Sequence, residues 1–152
     1  MRAVVTRVLS ASVTIDGEKY SEIGKGFMVL LGVHRDDTKE IAVKIADKIC
    51  GLRVFEDENG KMNVNPKDAG AQILIVSQFT LYADCKSRRP GFTDAARPEI
   101  SNPLYELVVE ECRNRGFEVK TGVFGADMKV ESINDGPVTI LLDSDELYAK
   151  GN

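Results

Sequence analysis

The chain has 152 residues, 43% of them hydrophobic and 29% charged, and its formal net charge is -4. This length and composition predict one folded domain, residues 1–152, and exclude a disordered chain. The negative charge excludes nucleic-acid binding through a globally basic surface, but it leaves room for a local basic patch.

The beginning of the chain predicts a strand and no targeting or membrane segment. Residues 2–15 have strand-like apolar positions and lack the long apolar run that a signal peptide or a membrane helix needs. We therefore expect a cytoplasmic protein that does not bind a membrane. Disulfides are not expected, because the cysteines are odd in number and widely spaced. They are Cys50, Cys85 and Cys112.

The first half of the chain alternates strand patterns with one helix pattern. Asp16-Gly17 and Asn59-Gly60 are hairpin turn signals. Asp37 is the predicted cap of an amphipathic helix whose apolar residues recur at helical spacing up to Leu52. The segments with strand patterns are 2–15, 18–23, 27–33, 53–55 and 61–64.

The second half contains a long loop between a strand and a second helix. The predicted strand covers Ala71–Tyr82, and the polar segment Ala83–Ser101 that follows it is predicted to be a functional loop because of its length. Asn102 is the predicted cap of the helix, with Pro103 at its first position and Gly116 at its end. The last predicted strands are 117–123, 128–133 and 138–142, with turns at 125–127 and 135–136 between them. The predicted fold class is α+β, with mainly antiparallel sheets in a barrel-like core and two amphipathic helices.

The sequence offers few residues for a metal site or for a catalytic triad. The single histidine, His34, lies in a polar loop, and nothing connects it to a serine or threonine as in a catalytic triad. No two residues among the cysteines and His34 lie at metal-ligand spacing. We expect no metal and no cofactor.

Two short motifs place polar groups next to apolar strands. SQFTL, Ser77–Leu81, follows the strongest apolar run of the chain, and NDGPVT, Asn134–Thr139, leads into another. In one interpretation, the polar side chains of SQFTL cap the edge of the sheet. In the other, backbone N–H groups at the strand end bind a developing oxyanion, and Thr80 supplies a hydroxyl nearby. The residues alone leave both interpretations open.

Three cations follow the first motif along the chain. Lys86, Arg88 and Arg89 form either an ordinary solvated loop or, if SQFTL is a site, a patch that neutralises nucleic-acid phosphates at its mouth. Arg7 is a further cation on the first strand, where a surface ion pair is its plainest role.

The motifs closely resemble those of the D-aminoacyl-tRNA deacylase family. The resemblance is carried by SQFTL, NDGPVT and FGADM, the last at Phe124–Met128. The segments TRVLSASVTIDGE, GFMVLLGV and GKMN are also similar to that family, in the same order and spacing. The resemblance covers nearly the whole chain.

This resemblance implies a homodimeric enzyme that hydrolyses the ester between a D-amino acid and the terminal adenosine of tRNA, at the acceptor end. It also implies a cis bond between Gly136 and Pro137, which would reach into the active site of the partner subunit. Their carbonyls would hold the amino group of the substrate, so that an L side chain would clash with them while a D side chain would not. Glycine has no side chain to clash with these carbonyls. A second expected substrate is therefore glycyl-tRNA, in the form of tRNA(Ala) mischarged with glycine.

The family pattern also implies roles for individual residues. The backbone N–H groups of Phe79 and Thr80 would face the ester carbonyl, with Ser77 and Gln78 supporting the pocket. Thr80 would be a weak nucleophile without a base, so water or the free ribose hydroxyl of the substrate is the favoured route of attack. Arg7 would hold the Gly-Pro loop and Met128 would line the pocket, although both residues also fit simple packing roles. The tail 143–152 has no predicted role.

Two other functions are consistent with the residues. One is a noncatalytic module that binds RNA ends through Lys86, Arg88 and Arg89. The other is a general esterase that depends on Thr80.

Overall fold

Strand β1 (Arg2–Ile15) is the centre of the fold, because three other strands pair with it. These contacts are seen in a computed structural model that describes residues 1–148. The first half of β1 pairs antiparallel with β3 (Gly26–Gly32), and the second half pairs with β2 (Glu18–Ile23) across the Asp16-Gly17 turn. Along its other edge, β1 pairs antiparallel with β8 (Met128–Asp143).

The rest of the main sheet is parallel. β6 (Gln72–Ser77) lies parallel to β3, and β7 (Val119–Thr121) lies parallel to β6. The sheet is six-stranded, and its ends approach each other, since the Ser21 hydroxyl of β2 donates a 2.7 Å hydrogen bond to the Thr121 carbonyl of β7. A separate hairpin is formed by β4 (Phe55–Glu56) and β5 (Met62–Val64). The predicted α+β class with a barrel-like core is confirmed.

Two longer helices and one short helix complete the fold: α1 (Lys39–Gly51), α2 (Pro98–Asn114) and α3 (Ser144–Leu147). Thr38 is the N-cap of α1, and its hydroxyl accepts a hydrogen bond from the Ile41 N–H. The predicted cap, Asp37, is wrong, because its carboxylate instead binds the N-terminal ammonium and the His34 N–H. None of the helices within residues 1–148 is long and apolar enough to cross a membrane.

Helix α2 begins earlier than the sequence indicated. It starts at Pro98 rather than at a cap on Asn102, so Pro103 lies inside the helix. Either proline could occupy the first helical position, where the missing N–H costs nothing. Ser101 and Leu104 are both buried in this segment, so packing extends the helix back to Pro98. Gly116 ends α2 as predicted, with a φ of +92°.

The core lies in two layers on either side of the main sheet. Between the sheet and the helices, fully buried Ile45 and Ile49 of α1 and Val108 of α2 belong to the same cluster as Phe27 of β3. Within the curve of the sheet, a second cluster contains Val8, Val13, Met28, Leu74 and Val76. Burial of each large apolar side chain contributes about 1.5–3 kcal/mol, which fixes the sheet as a rigid support for the loops at its ends.

The C-terminal strands differ from the prediction. The chain does not turn at 135–136; it continues as one strand, β8, which stays paired with β1 on both sides of this point. Thr6 pairs with Thr139 and Val8 pairs with Asn134, so residues 135–138 form a bulge opposite a single β1 residue. The predicted tail begins with Asp143 and α3, and its residues 149–152 lie outside the described residues.

Candidate active site

A cavity of about 690 Å³ lies at the end of β6, beside the SQFTL motif. Its wall combines this strand end with the start of α2 and the loop that precedes β8. The lining residues used below are Ser77, Gln78, Phe79, Phe92, Arg97 and 124–128. Thus the structure brings SQFTL and FGADM together, although they are far apart in the sequence.

The SQFTL motif does not continue the strand. β6 ends at Ser77, and Phe79–Tyr82 form a 3₁₀ turn with Gln78 as its N-cap, so the predicted strand to Tyr82 is wrong. The turn is anchored to β3, because the Gln78 N–H donates a 2.8 Å hydrogen bond to the Leu31 carbonyl. The first N–H groups of such a turn have no partner inside it. Within residues 1–148, no hydrogen bond is donated by the N–H of Phe79 or of Thr80.

The side chain of Thr80 is engaged in a local contact. Its hydroxyl accepts a 2.6 Å hydrogen bond from the Gln78 side-chain amide. Among the described residues, no carboxylate or imidazole contacts this hydroxyl, and Thr80 does not line the cavity. His34 packs its ring 5.2 Å from the Tyr82 ring, and its Nδ1 accepts the Asp36 N–H. This arrangement holds no Ser-His or Thr-His pair.

Aromatic rings and the cation Arg97 line the cavity, whereas the three loop cations that follow SQFTL do not. The rings of Phe79 and Phe92 meet edge to face, with centroids 5.0 Å apart, and Phe79 is 53% exposed. Arg97, at the N-cap of α2, also lines the cavity. None of the three cations that follow SQFTL, nor Arg97, forms an ion pair within the described part of the chain. The three are Lys86, Arg88 and Arg89.

Met128, for which the family resemblance implied a place in the pocket, is one of the residues that line this cavity. Its position depends on Gly122, since a Cβ there would lie 2.3 Å from the Met128 sulfur. Behind the wall, the Tyr105 hydroxyl of α2 donates a 2.7 Å hydrogen bond to the Ile75 carbonyl of β6. Burial raises the pKa of Tyr105 to about 12, so the phenol stays protonated and keeps α2 aligned with the strand that carries Ser77.

Arg7 is buried beneath the bulge of β8, which contains Gly136 and Pro137. Its Nη1 donates a 2.7 Å hydrogen bond to the Val54 carbonyl, and its Nε donates one of 3.2 Å to the Asp135 carbonyl. Arg7 does form ion pairs, with Asp135 at 3.4 Å and Glu56 at 3.9 Å, but its side chain is only 5% exposed, so the expected position at the surface is wrong. Gly136 has a φ of +114°, and a Cβ on it would lie 2.7 Å from Arg7 Nη2. Arg7 therefore fixes a backbone shape that only glycine readily adopts.

The expected cis bond between Gly136 and Pro137 is absent. Every peptide bond among the described residues is trans, so the prediction of a cis bond is wrong. In a trans bond, the carbonyls of Gly136 and Pro137 do not align as they would in a cis bond. The expectation that both carbonyls hold the amino group of the substrate is therefore not supported. Of the described residues, neither Gly136 nor Pro137 lines the cavity of its own chain. The two motifs therefore do not form one site within a single chain.

Comparison with known proteins decides what kind of protein has this site. Residues 4–143 match the family described as D-Tyr-tRNA(Tyr) deacylase. The chain belongs to this family. A D-aminoacyl-tRNA deacylase of Clostridioides difficile is 55% identical over 97% of this chain and 100% of the relative. A D-aminoacyl-tRNA deacylase of Thermosipho africanus is 51% identical over the same shares of the two chains. The family predicted from the motifs is confirmed, and with it the class of enzyme.

Solved structures agree with the fold of this deacylase family member. A structure named c-Myc DNA unwinding element binding protein superposes with a TM-score of 0.90 and 46% identity, over 95% of this chain and 99% of that one. A structure described as a probable eukaryotic D-amino acid tRNA deacylase gives a TM-score of 0.82 at 18% identity, over 93% and 98% of the two chains, and supports the fold alone.

Part of the cavity wall was missed by reasoning from the sequence. Arg97 and Phe92 lie in the polar segment 83–101, which was predicted to be functional because of its length, but neither side chain was identified as part of the site. Residues 124–127 were quoted as part of a motif, but only Met128 was assigned a role. The FGADM motif was the available signal for this loop.

Within residues 1–148, no group of three or more His, Cys, Asp or Glu side chains could hold a metal ion.

Proposed function

We propose that this deacylase hydrolyses the ester bond between a D-amino acid and the terminal adenosine of tRNA, and so releases both in the cytoplasm. The observation that carries the proposal is the pair of unpartnered N–H groups of Phe79 and Thr80 at the edge of the cavity. Two fixed N–H donors stabilise the oxyanion that forms when an ester carbonyl is attacked. The names of the relatives supply the class of ester.

The cavity fits the terminal adenosine of the substrate. Phe79 and Phe92 form an aromatic pair in a wall that also contains apolar residues such as Val76 and Val130, and such rings stack on bases. Arg97 and the loop cations have no carboxylate partners among the described residues, so they are free to bind phosphates of the acceptor end. Lys86, Arg88 and Arg89 keep their predicted role in this proposal.

Attack on the ester is by water, assisted by the free ribose hydroxyl of the substrate. The Thr80 hydroxyl is held by Gln78 and has no base, so it is a poor nucleophile. Gln78 and Ser77 instead support the turn and the adjacent wall. This route requires only that the protein hold the ester carbonyl against the two N–H groups.

Replacing Thr80 with alanine tests this route, because alanine removes the hydroxyl and keeps the backbone N–H. We expect kcat for D-tyrosyl-tRNA to stay within about tenfold of wild type, since no general base, worth 10²- to 10⁴-fold, is lost. Single-turnover release of labelled D-tyrosine measures it. A loss above about 1,000-fold, together with an acyl-enzyme detected by mass in the wild type, would instead establish a threonine-dependent esterase.

Selection against L substrates is proposed to come from a second copy of the chain. Gly136 and Pro137 lie on β8, whose outer edge has no partner strand within residues 1–148. This strand also exposes apolar side chains, among them Ile133 at 60% and Leu141 at 77%. Unpaired edges with exposed apolar groups favour association with another chain. In the resulting homodimer, the Gly136–Pro137 backbone and ring would act as a steric wall at the partner's cavity.

This steric wall would not reject a glycyl substrate. A wall that meets only the side chain of an L-amino acid has nothing to reject when the side chain is absent. Glycyl-tRNA, including glycine mischarged on tRNA(Ala), is therefore proposed as a second substrate. Met128 and the wall near it would contact the aminoacyl group in both cases.

The experiment that tests the proposed function compares D-tyrosyl-tRNA with L-tyrosyl-tRNA. Purified protein at nanomolar concentration should release D-tyrosine while L-tyrosyl-tRNA persists over the same period. Equal cleavage of both would refute the chiral selection. Tight binding of tRNA without release of any amino acid would favour a noncatalytic module that binds RNA ends through Lys86, Arg88 and Arg89.

A further inference from the structure

The 3₁₀ turn that carries the two free N–H groups rests on a row of three residues from three neighbouring strands. Arg2 of β1 lies between Gly32 of β3 and Asp143 of β8 in the sheet register. We call this set, Gly32, Arg2 and Asp143, the turn-supporting row. It includes the first residue of the C-terminal segment for which the sequence indicated no role.

Gly32 gives the turn room to lie directly on the sheet. A Cβ at this position would lie 2.9 Å from the Leu81 Cβ and 3.1 Å from the Gln78 carbonyl oxygen. The absence of a side chain therefore allows both ends of the turn to approach the strand backbone. The hydrogen bond from the Gln78 N–H to the Leu31 carbonyl fixes the N-terminal end of the turn in this place.

Arg2 fixes the other end of the turn. Its Nη1 donates a 2.9 Å hydrogen bond to the Leu81 carbonyl, and its guanidinium lies 4.6 Å from the centroid of the Tyr82 ring. A cation at the C-terminal end of a helical turn complements the partial negative charge of its carbonyls. The free N–H groups are at the opposite end, next to the cavity.

Asp143 orients the guanidinium of Arg2. Its Oδ2 accepts a 3.0 Å hydrogen bond from Arg2 Nε, and its Oδ1 accepts the Asp145 N–H at 2.9 Å. Partial burial works to raise the pKa of Asp143, but the hydrogen bonds from Arg2 and from the Asp145 backbone lower it overall. The carboxylate therefore remains charged and keeps Arg2 directed at the turn.

We propose that Arg2, held by Asp143, is a positioning residue that fixes the 3₁₀ turn so that the N–H groups of Phe79 and Thr80 bind the oxyanion. This proposal rests on the proposed function of those two groups. Arg2 touches neither the cavity nor the reacting ester, and it acts through the Leu81 carbonyl. The C-terminal segment thereby contributes to the site through Asp143.

Arg2→Met tests the proposal, because methionine keeps much of the side-chain length and removes every donor. We expect kcat for D-tyrosyl-tRNA to fall about tenfold, less than for loss of an oxyanion donor itself, while KM stays within about twofold. Arg2→Lys can still reach the carbonyl and should restore most of kcat, and Asp143→Asn should give an intermediate loss. The matched control is Arg113→Met, which also removes an arginine that donates to a backbone carbonyl, that of Val119, at 3.0 Å.

Amide hydrogen exchange provides a readout that does not depend on activity. In Arg2→Met, and not in Arg113→Met, exchange should accelerate at the N–H groups of Leu81 and Ala83, which are hydrogen-bonded to the Gln78 and Thr80 carbonyls, while the core strands keep their protection. Unchanged exchange in the turn, or a wild-type kcat, would overturn the role of Arg2 even in a working deacylase. If exchange responds as expected but the wild type releases no D-tyrosine, the proposed function fails and the structural role of Arg2 stands. If Arg2→Met and Arg113→Met lost kcat and thermal stability to the same extent, the loss of kcat would reflect destabilisation. That result would also overturn the positioning role of Arg2.

Discussion

Phe79→Pro is expected to lower kcat for D-aminoacyl-tRNA by about 100- to 1,000-fold, the effect of removing one oxyanion donor. Proline removes the N–H at this position, together with the phenyl ring, and leaves the backbone free to keep its shape. Phe79 is the first residue of the 3₁₀ turn, where proline is well tolerated. Gln78 before it has an extended backbone, with φ -144° and ψ 90°, and so avoids the α region that is disfavoured before proline.

The control for this prediction is Phe79→Ala, which removes the ring and keeps the N–H. Alanine should mainly raise KM, because the contact with Phe92 and any stacking on the substrate base are lost while the oxyanion donor remains. Initial rates over a range of substrate concentrations separate the two effects, and circular dichroism verifies that both variants fold. Equal values of kcat in the proline and alanine variants would contradict the role of the Phe79 N–H.

Pro137→Gly is expected to reduce the ratio of D to L cleavage by about 10- to 100-fold, the range for loss of a steric contact in a specificity pocket. Glycine removes the ring and loosens the bulge, so the steric wall against an L side chain is weakened. Cleavage of L-tyrosyl-tRNA should rise while cleavage of D-tyrosyl-tRNA changes little. Rates with the two substrates, measured on the same preparation, give the ratio.

A heterodimer of Phe79→Pro and Pro137→Gly subunits tests whether the wall acts across the interface. In such a dimer, one site combines the intact turn of the Pro137→Gly subunit with the native Gly136–Pro137 of the other. The heterodimer is isolated through a different C-terminal tag on each subunit. It should cleave D-tyrosyl-tRNA over L-tyrosyl-tRNA with the native selectivity, at about half the native kcat. If the wall acted within one chain, the heterodimer would keep the poor selectivity of the Pro137→Gly homodimer. A protein that remains monomeric would refute the cross-subunit arrangement outright.

The sequence indicated the N-terminal strands, helix α1 and the family correctly because those signals are local. Alternation of apolar residues and the Asp16-Gly17 turn define β1 and β2, and a period of 3.6 residues defines α1. The motifs SQFTL and NDGPVT identified the family because their combination is specific. Each of these features requires only residues that are neighbours in the chain.

Local signals failed where a distant partner decided the backbone. Asp135-Gly136 has the residues of a turn, yet the chain continues as β8 because β1 pairs with it on both sides of the bulge. The polar end of the apolar run became a 3₁₀ turn because Gly32, on another strand, allows it to rest on the sheet. Arg7 was expected at the surface, but it is buried under the bulge that it supports.

By itself, the sequence determined the family and the candidate site residues: a strand end with SQFTL, a glycine and proline on a later strand, and cations in the loop between them. Only the tertiary structure decided how they are arranged, because an oxyanion site depends on the direction of backbone N–H groups and not on side-chain identity. Packing of the turn on Gly32 and Arg2 leaves those N–H groups without internal partners. Pairing of β8 with β1 places Gly136 and Pro137 away from the cavity of their own chain, so a single chain does not bring the two motifs together.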